Sequence, residues 1–220
     1  MREERPTIEA PGGPMGAYHA APDAWPPGAG VVVIQEWWGL NENIEDICRR
    51  LAGEGYSAVA PDLYRGELTD EPDDARKLAM ELDRARAIED LEAAVTWLFD
   101  RGASGVGAMG FCMGGSLVWE LAWSDDRLSA AVPFYGLPDL RGHHFHCPIV
   151  AHFGSEDRWT PEELAEVHRE LDRDRYAHEL FVYPSAPHAF MNDTRPSYRR
   201  DAAELAWERT IGFFRNHLGS

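Results

Sequence analysis

Apolar residues follow two rhythms along this chain. Continuous runs suit strands buried on both faces: Val31-Val32-Val33-Ile34, opened by Gly30, and residues 56–60, closed by Pro61. Between them, Ile44, Ile47 and Leu51 share one face of a helix over about 41–53, which Gly53 or Gly55 ends. A long helix is predicted over about 73–99, with Ile88, Leu91, Ala94, Val95 and Leu98 on its apolar face. A short Gly-rich strand follows at 105–110, then a helix from Cys112 that carries Leu117, Val118 and Leu121. Strands are predicted at 129–135, 148–153 and 179–183. A helix at 161–171 separates the last two, with Pro161 in its first turn. The last helix runs from about 198 to 217. Upstream, residues 11–30 are rich in Pro, Gly and Ala and read as turns around a short strand at 17–20.

Strands alternating with helices predict a mostly parallel sheet covered on both faces, because parallel strands need crossovers and helices supply them. Functional side chains then gather at the carboxyl ends of the strands. The 220 residues contain no internal repeat and no low-complexity linker, so residues 1–220 are expected to form one domain with a sizeable core. Hydrophobic residues at 44% are too many for a disordered chain.

Charge narrows the partners. Twenty-one basic against 38 acidic residues give a net charge of −17, and no basic stripe offsets it. Such a surface repels nucleic acid and anionic membranes. No stretch approaches the roughly 20 apolar residues needed to span a bilayer. The opening residues have no apolar run after their charges, so no signal peptide is expected. Three cysteines, Cys48, Cys112 and Cys147, are too few and odd in number for a disulfide framework. A reducing cytoplasm is expected, which would keep a reactive thiol reduced.

Gly110-Phe111-Cys112-Met113-Gly114-Gly115 lies between a predicted strand and a predicted helix. This is the G-x-S-x-G nucleophile elbow of α/β-hydrolases with cysteine in place of serine. Small residues two before and two after the nucleophile allow a tight, strained turn. The helix beginning there offers partial positive charge and free N–H groups, which favour a thiolate and then an oxyanion. The partners in this fold come in the order nucleophile, acid, histidine. Asp157 follows the 148–153 strand and His188 follows the 179–183 strand, in that order. Asp157 would hold the imidazole and His188 would move protons between sulfur and leaving group. Glu156 competes with Asp157, but adjacent residues cannot both face the site, and Asp157 is preferred. His143, His144, His146 and Cys147 form a second cluster. No further ligand group with suitable spacing follows, so no metal and no organic cofactor are expected. Cys48 and Cys147 read as inert thiols, and His152, alternating within a strand, as structural.

These pieces resemble the dienelactone hydrolase family of α/β-hydrolases. The matching segments are Gln35-Glu36-Trp37-Trp38-Gly39-Leu40-Asn41, Ala60-Pro61-Asp62-Leu63-Tyr64, Asp90-Leu91-Glu92-Ala93-Ala94, the Gly110–Gly115 elbow, Gly154–Asp157 and His188-Ala189-Phe190. They keep the family's order over about residues 15–215. The resemblance implies a triad of Cys112, His188 and Asp157. It also implies that Glu36 interacts with the thiol and helps to form the thiolate. The backbone N–H groups of Trp37 and Met113 would make the oxyanion hole. The implied activity is hydrolysis of a small-molecule ester or lactone through a cysteine acyl-enzyme. Members that open dienelactones hold the substrate carboxylate with arginines, one just past the histidine motif. Here Met191 and Asn192 occupy that stretch. Arg65, Arg76 and Arg195 are the remaining candidate cations. Trp37, Trp38 and Trp159 flank the predicted catalytic positions and would give an aromatic pocket; Trp38, Trp159 and Arg195 are the expected substrate contacts. The rival readings are a carboxylesterase or thioesterase for non-lactone substrates, a silent α/β-hydrolase used for binding, and a redox sensor in which Cys147 resolves an oxidised Cys112. Oligomeric state is left open.

Overall fold

The computed structural model describes residues 1–23, 28–173 and 175–218. Part of the turn-rich reading of 11–30 falls on residues 24–27, outside that set. Among the described residues nine strands form one sheet, with β4 (Gly30–Ile34), β6 (Val106–Phe111) and β7 (Leu128–Phe134) at its centre. β5 (Ser57–Pro61) flanks β4; β8 (Ile149–Glu156) and β9 (His178–Pro187) extend the other side. From β5 through β9 every pairing is parallel. β4, β5 and β6 are buried at every residue, as continuous apolar runs require. Two apolar clusters cover the two faces. One gathers Leu91, Val95, Leu117, Val118 and Leu121, the other Ile44, Ile47, Leu51, Phe213 and Phe214.

Two regions differ from the sequence pattern. At the N-terminus β1 (Arg2–Glu4), β2 (Thr7–Ala10) and β3 (Gly13–Ala21) form an antiparallel edge, where only a short strand was expected. β1 is exposed throughout, so it carries no apolar signal. The long helix over 73–99 is two helices, α2 (Pro72–Glu81) and α3 (Arg84–Asp100). Leu82 turns extended and Asp83 caps α3 by accepting from the Arg86 N–H at 3.2 Å. The other helices lie close to their expected spans: α1 (Glu42–Gly53), α4 (Met113–Ser124), α5 (Pro161–Arg173) and α6 (Arg200–Leu218). No described helix is long and apolar enough to cross a membrane. His152, fully buried in β8, pairs with the Tyr183 hydroxyl at 2.8 Å and the Thr210 hydroxyl at 3.2 Å, tying β8 to β9 and α6.

Candidate active site

Strand register assembles the site. Phe111 pairs with Phe134, so the residues that leave β6 and β7, Cys112 and Tyr135, are neighbours. Glu156 pairs with Pro187, so Asp157 and His188 leave β8 and β9 side by side. Ile34 pairs with Gly110, which brings Gln35 and Glu36 to the same edge. Six polar side chains from five strands therefore gather at one carboxyl-terminal edge.

Cys112 is the N-cap of α4 and is held at φ +55. A non-glycine residue in that region is strained and persists only when its surroundings fix it. Its own N–H donates to the Phe134 carbonyl at 3.0 Å. The flanking glycines are a steric necessity. A Cβ on Gly110 would lie 2.5 Å from the Gly114 carbonyl oxygen, and one on Gly114 would lie 2.4 Å from the Gln35 oxygen.

His188 Nδ1 lies 3.0 and 2.9 Å from the two carboxylate oxygens of Asp157. The Asp157 side chain is 1% exposed, whereas Glu156 faces solvent. Burial lowers the proton affinity of His188, but hydrogen bonds with Asp157 and Cys112, with their charges, outweigh it and raise the pKa to about 10.

Glu36 is buried and doubly bonded. Tyr135 Oη donates to its Oε1 at 3.3 Å and Asn192 Nδ2 donates to its Oε2 at 2.8 Å. Burial raises its pKa; the Asn192 bond, the charge of His188, the Tyr135 bond and the charge of Arg195 oppose that rise. Tyr135 is fully buried at φ +40, with its ring edge-on to His188 at 5.0 Å. Burial, then the charges of Glu36 and Cys112, push its hydroxyl well above its ordinary value, so it remains a donor. Tyr64 contacts Met113 Sδ through its hydroxyl at 3.4 Å. Burial and the nearby Cys112 raise its pKa too.

Most of the sequence-derived residues converge here. Trp37 and Trp38 follow Glu36 directly, with rings edge to face at 5.1 Å, and the Arg195 guanidinium lies 3.8 Å over the Trp38 ring. Trp159 goes elsewhere. Its indole packs with the α3–α4 cluster, under the Arg158 guanidinium, and lines a cavity of 460 Å³ with Leu137, Glu163 and Val167. Two residues beyond Asp157, the chain has turned toward α5. Of the other arginines, Arg65 is tied to both oxygens of buried Asp90 at 2.8 Å, and Arg76 is exposed beside Asp73. Sequence reasoning missed Tyr135, Tyr64 and the Asn192 contact; Tyr135 follows a strand's carboxyl end, the position that pointed to the others.

The thiol and histidine clusters are engaged in packing. Cys147 belongs to the α3–α4 cluster, and burial pushes its thiol up to about 12, which disfavours a resolving thiolate. His143 stacks on Trp123 at 3.7 Å and His144 pairs with the Tyr176 hydroxyl at 2.5 Å. Among the described residues no group of three or more His, Cys, Asp or Glu side chains is placed to hold a metal ion.

The dienelactone hydrolase family profile matches residues 15–218 of this chain. The chain belongs to that family. It is therefore a hydrolase acting on esters or lactones. Among curated relatives, a protein of Escherichia coli K12 named "Putative carboxymethylenebutenolidase" is 36% identical over 97% of this chain and 86% of its own length. "Protein usf" of Aquifex pyrophilus is 36% identical over 87% of this chain and 89% of its own. The crystal structure titled "Putative Dienelactone Hydrolase" from Klebsiella pneumoniae superposes with a TM-score of 0.89 at 31% identity, covering 98% of this chain and 99% of that one.

Proposed function

We propose that the chain acts as one α/β-hydrolase domain that cleaves carboxylic esters or lactones through an acyl-thioester on Cys112. The observation that carries this reading is the Asp157–His188 pair beside a cysteine held at positive φ on a helix N-terminus. The thiolate of Cys112 attacks the carbonyl carbon and the C=O electron pair moves onto oxygen. The backbone N–H groups of Trp37 and Met113 receive that oxyanion; Met113 is the first residue of α4, where N–H groups have no intrahelical partner. The tetrahedral intermediate collapses by breaking the ester C–O bond, and His188 gives its proton to the leaving oxygen. Water then attacks the thioester while His188 takes its proton, and the acid leaves with the thiol restored. Asp157 holds the imidazole throughout. Glu36, a buried acceptor at the same edge, favours the His188 imidazolium electrostatically and, through that cation, the Cys112 thiolate.

The acyl group lies against the Trp37–Trp38 pair, with Arg195 at its rim. The stretch after the histidine motif supplies neutral Asn192, and Arg65 is tied to Asp90. Simple carboxylic esters and thioesters therefore stand beside lactones as substrates.

The test is hydrolysis of p-nitrophenyl acetate, p-nitrophenyl butyrate, a dienelactone and a neutral lactone by wild type and Cys112→Ala, with intact-mass detection of an acyl adduct. Turnover and an adduct in the wild type, both lost in the variant, are expected. Equal turnover in the two proteins would remove Cys112 as the nucleophile.

A further inference from the structure

The segment after His188 makes an unusual use of an amide. Asn192 is 1% exposed, and its Nδ2 donates to Glu36 Oε2 at 2.8 Å. Its Oδ1 accepts from both the N–H (3.1 Å) and the hydroxyl (2.7 Å) of Thr194. Its main chain is fixed on both sides: its N–H donates to the Ala189 carbonyl, and its carbonyl accepts from the Arg195 N–H. An amide can flip, and flipped it would present an oxygen to the Glu36 carboxylate. The two donors from Thr194 oppose that flip, so Thr194 selects the face that Asn192 shows to Glu36.

We propose that Asn192 is a positioning residue, locked by Thr194, that fixes the orientation and charge of Glu36 and thereby sets the acid edge of Cys112 reactivity. The inference rests on the reading of Cys112 and Glu36 given above. Glu36 is buried and faces three titratable or charged groups: Tyr135 after β7, and His188 and Arg195 after β9. Among the described residues only Tyr135 and Asn192 hydrogen-bond its carboxylate, one to each oxygen. Asn192 is the closer donor and the one with a second anchor. Donors stabilise the carboxylate over the acid, whereas burial disfavours it. With Asn192 gone, Glu36 gains its proton at a higher pH. The negative charge that supports the His188 imidazolium, and through that cation the Cys112 thiolate, then disappears sooner as pH falls.

The experiment is the pH dependence of Cys112 alkylation by iodoacetamide, followed by mass spectrometry of the Cys112 peptide in the full chain. This readout needs a reactive thiol but no ester turnover, so its failure is distinct from failure of the substrate reading. Asn192→Leu keeps the approximate volume and removes the donor. Its acid limb is expected to move up by about one pH unit, since hydrogen bonds to charged groups are strong and each unit is a tenfold change. Thr194→Val keeps Asn192 and deletes one lock. Thr194 is exposed, so this variant is expected to fold even where Asn192→Leu does not, with a smaller shift in the same direction. An Asn192→Asp variant places a second acceptor against Glu36 and is expected to move the limb further than Asn192→Leu. A Thr194→Val limb coincident with wild type, or an Asn192→Leu limb coincident with wild type in folded protein, would overturn the proposal.

Discussion

At the scale of single residues, the ionic character of the site depends on the contact between Asp157 and His188. The raised His188 pKa of about 10 is maintained against burial, with the Asp157 hydrogen bond the largest single cause that raises it and the hydrogen bond and charge of Cys112 next. In the unfolded chain a histidine titrates near its ordinary value of about 6.5. Folding therefore takes up a proton between roughly pH 6.5 and pH 10. The stability this provides is fully present below about 6.5 and is lost as pH rises through about 10. Asp157→Asn keeps the shape and removes the charge. The variant is expected to show a flatter decline of stability from pH 7 to pH 10 and a turnover reduced by about 100-fold or more, because the imidazole loses its fixed tautomer. Urea denaturation across that pH range, with ester hydrolysis at pH 7, checks both; an unchanged slope would mean that another group carries the uptake. The proposed nucleophile, acid and base were legible as candidates in the sequence because each is announced by a local string at a strand end. Tyr135 and Asn192 could not, because their roles depend on which residue of a neighbouring strand lies opposite. Trp159 shows the converse: nearness in sequence to Asp157 suggested a shared pocket, but the turn into α5 sends the indole elsewhere.

At the scale of elements, the break between α2 and α3 is a capping event. The apolar period is strong from Ala87 to Leu98 and weak before it: α2 buries only Ala75. A single helix over 73–99 extended the period into a segment that has little core to face. Asp83 ends that extension by offering its carboxylate to the Arg86 N–H, a better use of a short acidic side chain than a place in a helix interior. Asp83→Ala is expected to lower stability by about 1 kcal/mol through loss of the cap. Met80→Ala, on an exposed turn of α2, is expected to stay within about 0.5 kcal/mol of wild type. Guanidinium denaturation of both variants measures the difference; equal loss in the two would mean that α2 packs more tightly than its exposure indicates. The central strands were legible because full burial leaves an unbroken apolar run. The edge strands β1 and β2 were not, since an edge with polar residues on its open side carries no such run.

At the scale of the whole molecule, the excess of 38 acidic over 21 basic residues acts as a field rather than as a set of contacts. Many of the basic side chains sit in local ion pairs: Arg49 lies within 4 Å of Glu3, Glu42, Glu45 and Asp46, and Arg127 holds Asp125. Those pairs are short-ranged, whereas the net repulsion reaches across the molecule. A chain of this length has a radius of gyration of about 17 Å. The Debye length is about 30 Å at 0.01 M salt and about 8 Å at 0.15 M. At low salt each carboxylate thus feels the whole negative surface; at 0.15 M it feels mainly its own neighbours, which include its cationic partners. Added salt is therefore expected to stabilise this protein, the reverse of what screening does to a fold held by surface ion pairs, by about 1 kcal/mol or a Tm rise of roughly 2–4 °C. A Tm that falls over the same range would show that the local pairs dominate. The same field acts on substrate encounter. For an ester bearing a carboxylate, kcat/KM is expected to rise with salt as repulsion is screened, while a neutral ester of the same size stays level. If both rise together, salt is acting on the folded state rather than on approach to the site; a rise confined to the charged ester means that Arg195 over Trp38 is too local a charge to offset the surface around it.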